Sequence, residues 1–207
     1  MKSEELNELK QVQRYRRDAS AWFFSKEDPR WELSNMAGKL SLFWPLAQIR
    51  ENEWNSSEQL YQASKYGTDV SCLPEANPYA DPCVRNRIKE STNPRQAKMT
   101  QKCAVKAGLV RKDWEDPDHE VRITSMLWVL ELKLFWNSFN FGKVLQQTAD
   151  LPIVEISTKD DFWGCKVSEG GLLVGSNVLG KLLMRIRARS LEIKRRNFTY
   201  PDGWLLP

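Results

Sequence analysis

Apolar residues recur at helical spacing over much of this chain. Ile123, Met126, Leu127, Leu130 and Leu134 follow one another at steps of mostly three and four, which predicts a long core helix opened by Asp116-Pro117-Asp118. Leu6, Leu9, Val12 and Tyr15 mark an amphipathic helix from residue 4 to about 17, with Ser3 as its cap. Asn93-Pro94 opens a further helix through Ala97, Lys98 and Ala104, and residues 139–148 read as another. The last helix starts where Gly175 and Gly180 bracket Asn177 and continues to about residue 196. Strand patterns are short: residues 21–24, 40–43 and 152–156, the last being the clearest. Asp28-Pro29 and Gly38 mark turns, while Gly67, Pro74, Pro78 and Pro82 make residues 67–83 a loop, expected at the rim of a site. No repeat or linker divides the chain. The pattern predicts a single domain, mainly α with a small β-sheet.

One predicted helix is polar where a core-facing helix is apolar. Glu58, Gln62 and Lys65 stand at i, i+4 and i+7, a spacing that lines up a carboxylate, an amide and an amine. Ser56, followed three residues later by Gln59, has the form of a capping box and puts Glu58 in the first turn. The partial positive charge there favours an ionised carboxylate able to act as a base or to stabilise positive charge. The plain alternative is a solvated face with a weak Glu/Lys contact worth about 0.3 kcal/mol.

Composition narrows the function classes. The 207 residues are 41% hydrophobic and 28% charged, as in globular proteins. Nine tryptophans provide core bulk and, at a few positions, stacking surfaces for a base. Net charge is +4, with cations concentrated at Arg185, Arg187, Arg189, Lys194, Arg195 and Arg196, and at Arg14, Arg16 and Arg17. Such clusters suit a phosphate-bearing partner, or are solvated helix faces. The four cysteines, Cys72, Cys83, Cys103 and Cys165, form no C-x-x-C pair, and His119 is the only histidine, so disulfide frameworks, zinc centres and Ser-His-Asp chemistry are poor readings. Neither a Walker A pattern nor a G-x-G-x-x-G after a strand occurs. With no signal-peptide pattern and no membrane-length apolar run, a reduced, cytoplasmic setting is expected, or a nuclear one in a eukaryote.

Three blocks carry a resemblance: Ser57-Glu58 with Gln62-Ala63 and Lys65; Asp160-Asp161-Phe162-Trp163-Gly164; and Gly175-Ser176-Asn177-Val178-Leu179-Gly180-Lys181-Leu182-Leu183-Met184. Phe23-Phe24 with Leu33-Ser34-Asn35, and Arg111-Lys112-Asp113-Trp114, add two weaker ones. In this order they resemble the NADAR family, also called YbiA-like, across roughly residues 20–190. The resemblance implies a NADAR/YbiA-like fold, with an accessory helix at residues 1–18, a catalytic domain at 19–196 and a tail at 197–207. It also implies an N-glycosidase needing no metal and no cofactor. One family branch removes ADP-ribose from guanine in nucleic acid, sometimes as antitoxin to a DNA-modifying ADP-ribosyltransferase. Another cleaves phosphoribosyl-aminopyrimidine intermediates of riboflavin synthesis. A non-catalytic ADP-ribose or NAD-binding module is the third possibility. Gln59, where many relatives carry histidine, and the segment at residues 67–83 depart from the family pattern and bear on specificity.

Breaking an N-glycosidic bond develops positive charge on the sugar and requires a proton for the leaving base, tasks that two carboxylates in different environments can share. Glu58 and Asp160 are the expected pair, with Asp161 second choice to Asp160. Lys65 is expected either to condense with C1 of a ring-opened ribose or to orient the substrate. Phe23, Phe24, Asn35, Gln62 and Lys98 are candidate walls of the site, and Trp114 and Trp163 candidate stacking partners. Gly175, Asn177 and Gly180 are candidates for phosphate or hydroxyl recognition at a helix start. Trp128 and Trp136 are assigned to packing. The positive clusters favour the polyanionic substrate, de-ADP-ribosylation of guanine.

Overall fold

A computed structural model describes residues 1–38, 40–42, 52–66, 83–116 and 120–194. The expectations at residues 67–82, His119, Arg195, Arg196 and the tail at 197–207 lie outside these. The chain divides into two compact units, residues 1–37 with 126–196 and residues 38–125 with 197–207. Helices dominate and strands are short, the α+β class expected.

In the first unit, α1 (Ser3–Lys10) is shorter than the predicted helix at residues 4–17. Gln11 turns extended, and the Lys181 ammonium donates to the carbonyls of Glu8, Leu9 and Gln11, a cation closing a helix C-terminus. The chain then enters β1 (Gln13–Tyr15). The next strand, β2 (Ala21–Phe23), pairs in parallel with a later one, as described below. A 3₁₀ turn at Trp31–Leu33 follows.

In the second unit, β3 (Leu40–Leu42) and β4 (Asn52–Trp54) form an antiparallel hairpin. Then come α2 (Ser57–Ala63), α3 (Cys83–Glu90) and α4 (Pro94–Lys106), which pack on one another. Asn93 caps α4 as its sequence suggests, its side chain accepting from the Gln96 amide at 2.9 Å, with proline in the first turn.

The core helix is α5 (Val121–Trp136), within which the unit boundary falls. Ile123, Met126, Leu130 and Leu134 are buried as predicted, and so are Val129 and Leu132, so the helix buries more than one stripe. Trp128 packs, whereas Trp136 stands exposed at the helix end against the edge of Phe135. Lys133 is buried in this helix, its ammonium donating to the carbonyls of Glu32 (2.7 Å) and Ser34 (2.6 Å) over the Phe141 ring.

The first unit is completed by α6 (Phe141–Gln147), β5 (Ile153–Glu155), β6 (Lys166–Val167), β7 (Leu173–Gly175), α7 (Val178–Ala188) and α8 (Ser190–Lys194). The predicted helix to residue 196 is thus two helices. Gln146 Nε2 donates to the Arg187 carbonyl and the Ser190 hydroxyl at the break. β1, β7 and β6 make an antiparallel sheet in that order, and β2 pairs with β5 with Phe23 opposite Glu155. None of the described helices is long and apolar enough to cross a membrane.

Candidate active site

All seven residues of α2 are buried, which rules out the solvated-face reading of its polar stripe. Buried polar side chains must find partners, and those partners define the site. Ser56 caps the helix, its hydroxyl accepting from the Gln59 amide at 3.2 Å. The capping box is only half formed, because the Gln59 amide group donates instead to the carbonyls of Ile88 and Ser91 and ties α2 to the end of α3. Glu58, 5% exposed, accepts from Gln62 Nε2 at 2.7 Å and pairs with Lys98 Nζ at 3.2 Å. Gln62 Oε1 is buried and, among the described residues, accepts no hydrogen bond.

Lys65 does not lie on the helix. α2 ends at Ala63, and the Lys65 amide reaches back to the Gln62 carbonyl in the tighter turn that follows. The turn is held from outside by the Arg111 amide, which donates to the Lys65 carbonyl at 2.8 Å. The amine sits 5.7 Å from the Tyr61 ring centroid and 5.8 Å from that of Trp114, with Gln101 Oε1 at 3.2 Å. Burial lowers its pKa to about 8, the Glu58 charge pushing it back up and Lys98 pulling it down. Tyr61 and Trp114 are themselves buried and tilted against each other at 5.5 Å. Glu58, Gln62, Lys65, Lys98 and Trp114, named from separate stretches of sequence, are therefore brought together in the second unit.

Two members of this cluster escaped the sequence reading. Tyr61 stands four residues before Lys65, so helical spacing could have revealed it. Gln101 is 36 residues away and had no local signal.

The other motif residues form a group in the first unit. Asp160 Oδ1 accepts from the amides of Phe162 (2.8 Å) and Trp163 (3.1 Å), so this carboxylate shapes the turn that carries them. Asp161 is exposed and paired with Lys166 at 2.7 Å, which holds its carboxyl below the usual range. The carbonyls of residues 161–164 accept from the amides of residues 176–179 at 2.7–3.2 Å: Ser176 to Asp161, Val178 to Phe162, Leu179 to Trp163 and Asn177 to Gly164. The start of α7 is thereby closed by the turn, and those four amides are spent. Asn177, fully buried with φ 51°, donates to the Ile153 carbonyl at 2.8 Å and accepts from the Glu155 amide at 3.2 Å. Side chains at Gly175 and Gly180 would run into the carbonyls of Gly164 and Ile153 respectively. The two glycines allow this close packing.

Phe23 and Phe24 part company, as adjacent strand positions do. Phe23 is in the core, whereas Phe24 is 53% exposed and lines a groove of about 570 Å³ with Trp22, Arg17, Asp28 and Lys166. Arg17 stacks on Trp22 at 4.2 Å. Asn35 is buried, its amide 2.9 Å from Met126 Sδ. Trp163 is half-buried and edge-on to Phe162. Four arginines of the clusters bond within the first unit: Arg185 pairs with Glu5, Arg187 donates to Thr148 and the Leu151 carbonyl, Arg189 holds Glu131 and Glu192, and Arg16 holds Asp18.

Residues 22–190 match the family model of the NADAR domain. The chain is 29% identical over 141 residues to N-glycosidase Npun_R5314 of Nostoc punctiforme, covering 67% of this chain and 76% of that protein. It is 35% identical over 117 residues to the chloroplastic riboflavin biosynthesis protein PYRR of Arabidopsis thaliana, covering 56% of this chain and 18% of that protein. Riboflavin biosynthesis protein VVA0006 of Vibrio vulnificus is 30% identical over 156 residues, 75% of this chain and 36% of that protein. The chain thus spans well under half the length of these two riboflavin-named relatives. Among solved structures, the NMR structure of the E. coli protein YbiA is similar, with a TM-score of 0.59 and 25% identity over 89% of this chain and 92% of that one.

Proposed function

The chain belongs to the NADAR family, and we propose that within it this protein is an N-glycosidase that removes ADP-ribose from ADP-ribosylated guanine in nucleic acid. The observation that carries the reading is the Lys65 amine, beside the Tyr61 and Trp114 rings with its pKa lowered to about 8, in one cluster with the buried Glu58 carboxylate. An amine so placed is partly in its nucleophilic free form near neutral pH. The N-glycosidase name of the Nostoc relative supports the reaction class.

In the proposed sequence, the modified ribose opens: the C1–ring-oxygen bond pair goes to the oxygen, which takes up a proton, leaving an imine between C1 and the guanine nitrogen. Lys65 adds to C1. The guanine nitrogen then departs with its bond pair and with a proton relayed from the Lys65 nitrogen by Glu58. Water hydrolyses the Lys65 imine, releasing ADP-ribose as the sugar recloses and restoring the amine. Gln62 and Lys98 hold the Glu58 carboxylate, and Gln62 Oε1 accepts from a sugar hydroxyl. Trp114 and Tyr61 shield the amine and offer a stacking face. Asp160 serves by shaping the turn of Trp163.

The riboflavin-type names of relatives at 30–35% identity favour a second reading, in which the same groups act on a phosphoribosyl-aminopyrimidine. The net charge of +4 supports the polyanion. Purified protein is offered an oligonucleotide bearing ADP-ribosylated guanine and, separately, the aminopyrimidine, with borohydride added in a parallel reaction. Release of ADP-ribose from the oligonucleotide, with trapping on Lys65, is expected. Turnover of the aminopyrimidine alone establishes the second reading, and tight binding without turnover establishes a binding module.

A further inference from the structure

The residues from 91 to 112 contain six cations, Arg95, Lys98, Lys102, Lys106, Arg111 and Lys112, and no Asp or Glu. Four of the six fall within α4. At 3.6 residues per turn, Arg95, Lys98, Lys102 and Lys106 lie within an arc of about 80°, spread over about 16 Å of helix. Ala97 and Ala104, the buried residues of α4, lie on the opposite face. Arg95, Lys102 and Lys106 are exposed, and among the described residues none of them meets a carboxylate. This differs from Arg16, Arg185 and Arg189 of the first unit, each of which pairs with a carboxylate within it.

A charge run is ordinarily a solvated face. Two features set this one apart. It runs on a helix that holds no Asp or Glu, so the self-repulsion among its exposed Arg95, Lys102 and Lys106 is left uncompensated on the helix itself. It also leads directly into the site, because Lys98 within the stripe is the residue whose ammonium pairs with Glu58 at 3.2 Å, its side chain still 45% exposed. A chain of phosphates following the stripe would arrive at Glu58 and Lys65.

We infer that the exposed face of α4 is a binding track for the phosphodiester backbone of a nucleic-acid strand, held by Arg95, Lys102 and Lys106 and delivering the strand to the Glu58 cluster. This rests on the proposed polyanionic substrate and assigns the surface that engages it. Phosphate contacts carry affinity without sequence preference and release counterions, so they are read by salt dependence. The exposed Met99 and Val105 flank the stripe, and a basic helix with apolar flanks also suits an anionic membrane surface. The lack of any acidic residue on α4, next to a proposed site for a nucleotide-linked sugar, favours the strand.

The test measures binding of an unmodified single-stranded oligonucleotide by fluorescence anisotropy across a salt series, for wild type and for Arg95→Gln/Lys102→Gln/Lys106→Gln. Thermal unfolding serves as the folding control. With about 0.7 of slope lost per phosphate no longer neutralised, the log–log slope should fall by about two, with affinity at least roughly tenfold weaker at low salt. An unchanged slope overturns the track. So does failure to bind the oligonucleotide while vesicles of anionic phospholipid are bound through the same three residues. The readout needs no turnover, so an unmodified oligonucleotide bound through α4, with no ADP-ribose released from its ADP-ribosylated counterpart, would sink the glycosidase substrate and leave the track standing. Release of ADP-ribose with an unchanged salt slope would do the reverse.

Discussion

The motif residues of the two units differ in what they bind. In the first unit, Asp160 and Asn177 pair with backbone groups, and the carbonyls of residues 161–164 close the start of α7. In the second, side chains pair with side chains: Glu58 with Gln62 and Lys98, and Lys65 with Gln101. A backbone partner cannot swing away, so under the proposed function a side chain bound to one acts as scaffolding. A side-chain partner exchanges readily for substrate, and Gln62 Oε1 has an acceptor to offer. Under the proposed function, two blocks that look equally chemical as sequence therefore divide into a frame and a reactive cluster.

The largest expected effect is at Lys65. Lys65→Arg keeps the charge but removes the nucleophile and should lower turnover at least about 10²-fold. Single-turnover kinetics with circular dichroism as a folding control check this, and an active variant would remove the reactive half of the contrast. Next comes the frame. Asn177→Ala strands the Ile153 carbonyl and the Glu155 amide and puts alanine at a left-handed φ, a loss of about 2–4 kcal/mol. Denaturant unfolding should show it, while turnover per folded molecule stays within about twofold; unaltered stability with lost turnover would make Asn177 a site residue instead.

Asp160→Asn is expected to change turnover by less than about threefold, since an amide Oδ1 still accepts from the Phe162 and Trp163 amides. A loss of about 10² or more would return Asp160 to acid-base work and break the distinction between frame and cluster. The subtlest effect is in pH. kcat/KM should rise through a limb with apparent pKa about 8 as Lys65 loses its proton. Stability follows with a definite sign: the folded pKa lies below the unfolded value, so the folded state binds fewer protons between about pH 8 and 10.4 and gains stability as pH rises through that window. The cost is fully present below pH 8. Lys65→Met should flatten this slope in unfolding midpoints measured against pH.

Much of the framework was legible before any coordinates. The caps at Ser56 and Asn93, the apolar repeat of α5 and the strand at β5 follow from interactions within a few residues, where residue type and spacing suffice. The predicted first and last helices failed at their ends. Lys181, some 170 residues along the chain, captures the carbonyls that stop α1, and Gln146 sits at the break between α7 and α8.

The residues Glu58, Gln62, Lys65 and Trp114 were likewise readable as candidates with an expected chemistry, and their burial and partners were not. Sequence alone determined which groups were available and where the helices holding them begin. Tertiary structure decided that α2 is buried on every side, that Lys65 leaves the helix and sits beside two rings, and that the turn at residues 160–164 is bonded to the start of α7. Caps and periodicity act locally, whereas desolvation and partner choice depend on residues brought near from anywhere in the chain. Those distant neighbours decide whether a lysine is a surface charge or a nucleophile.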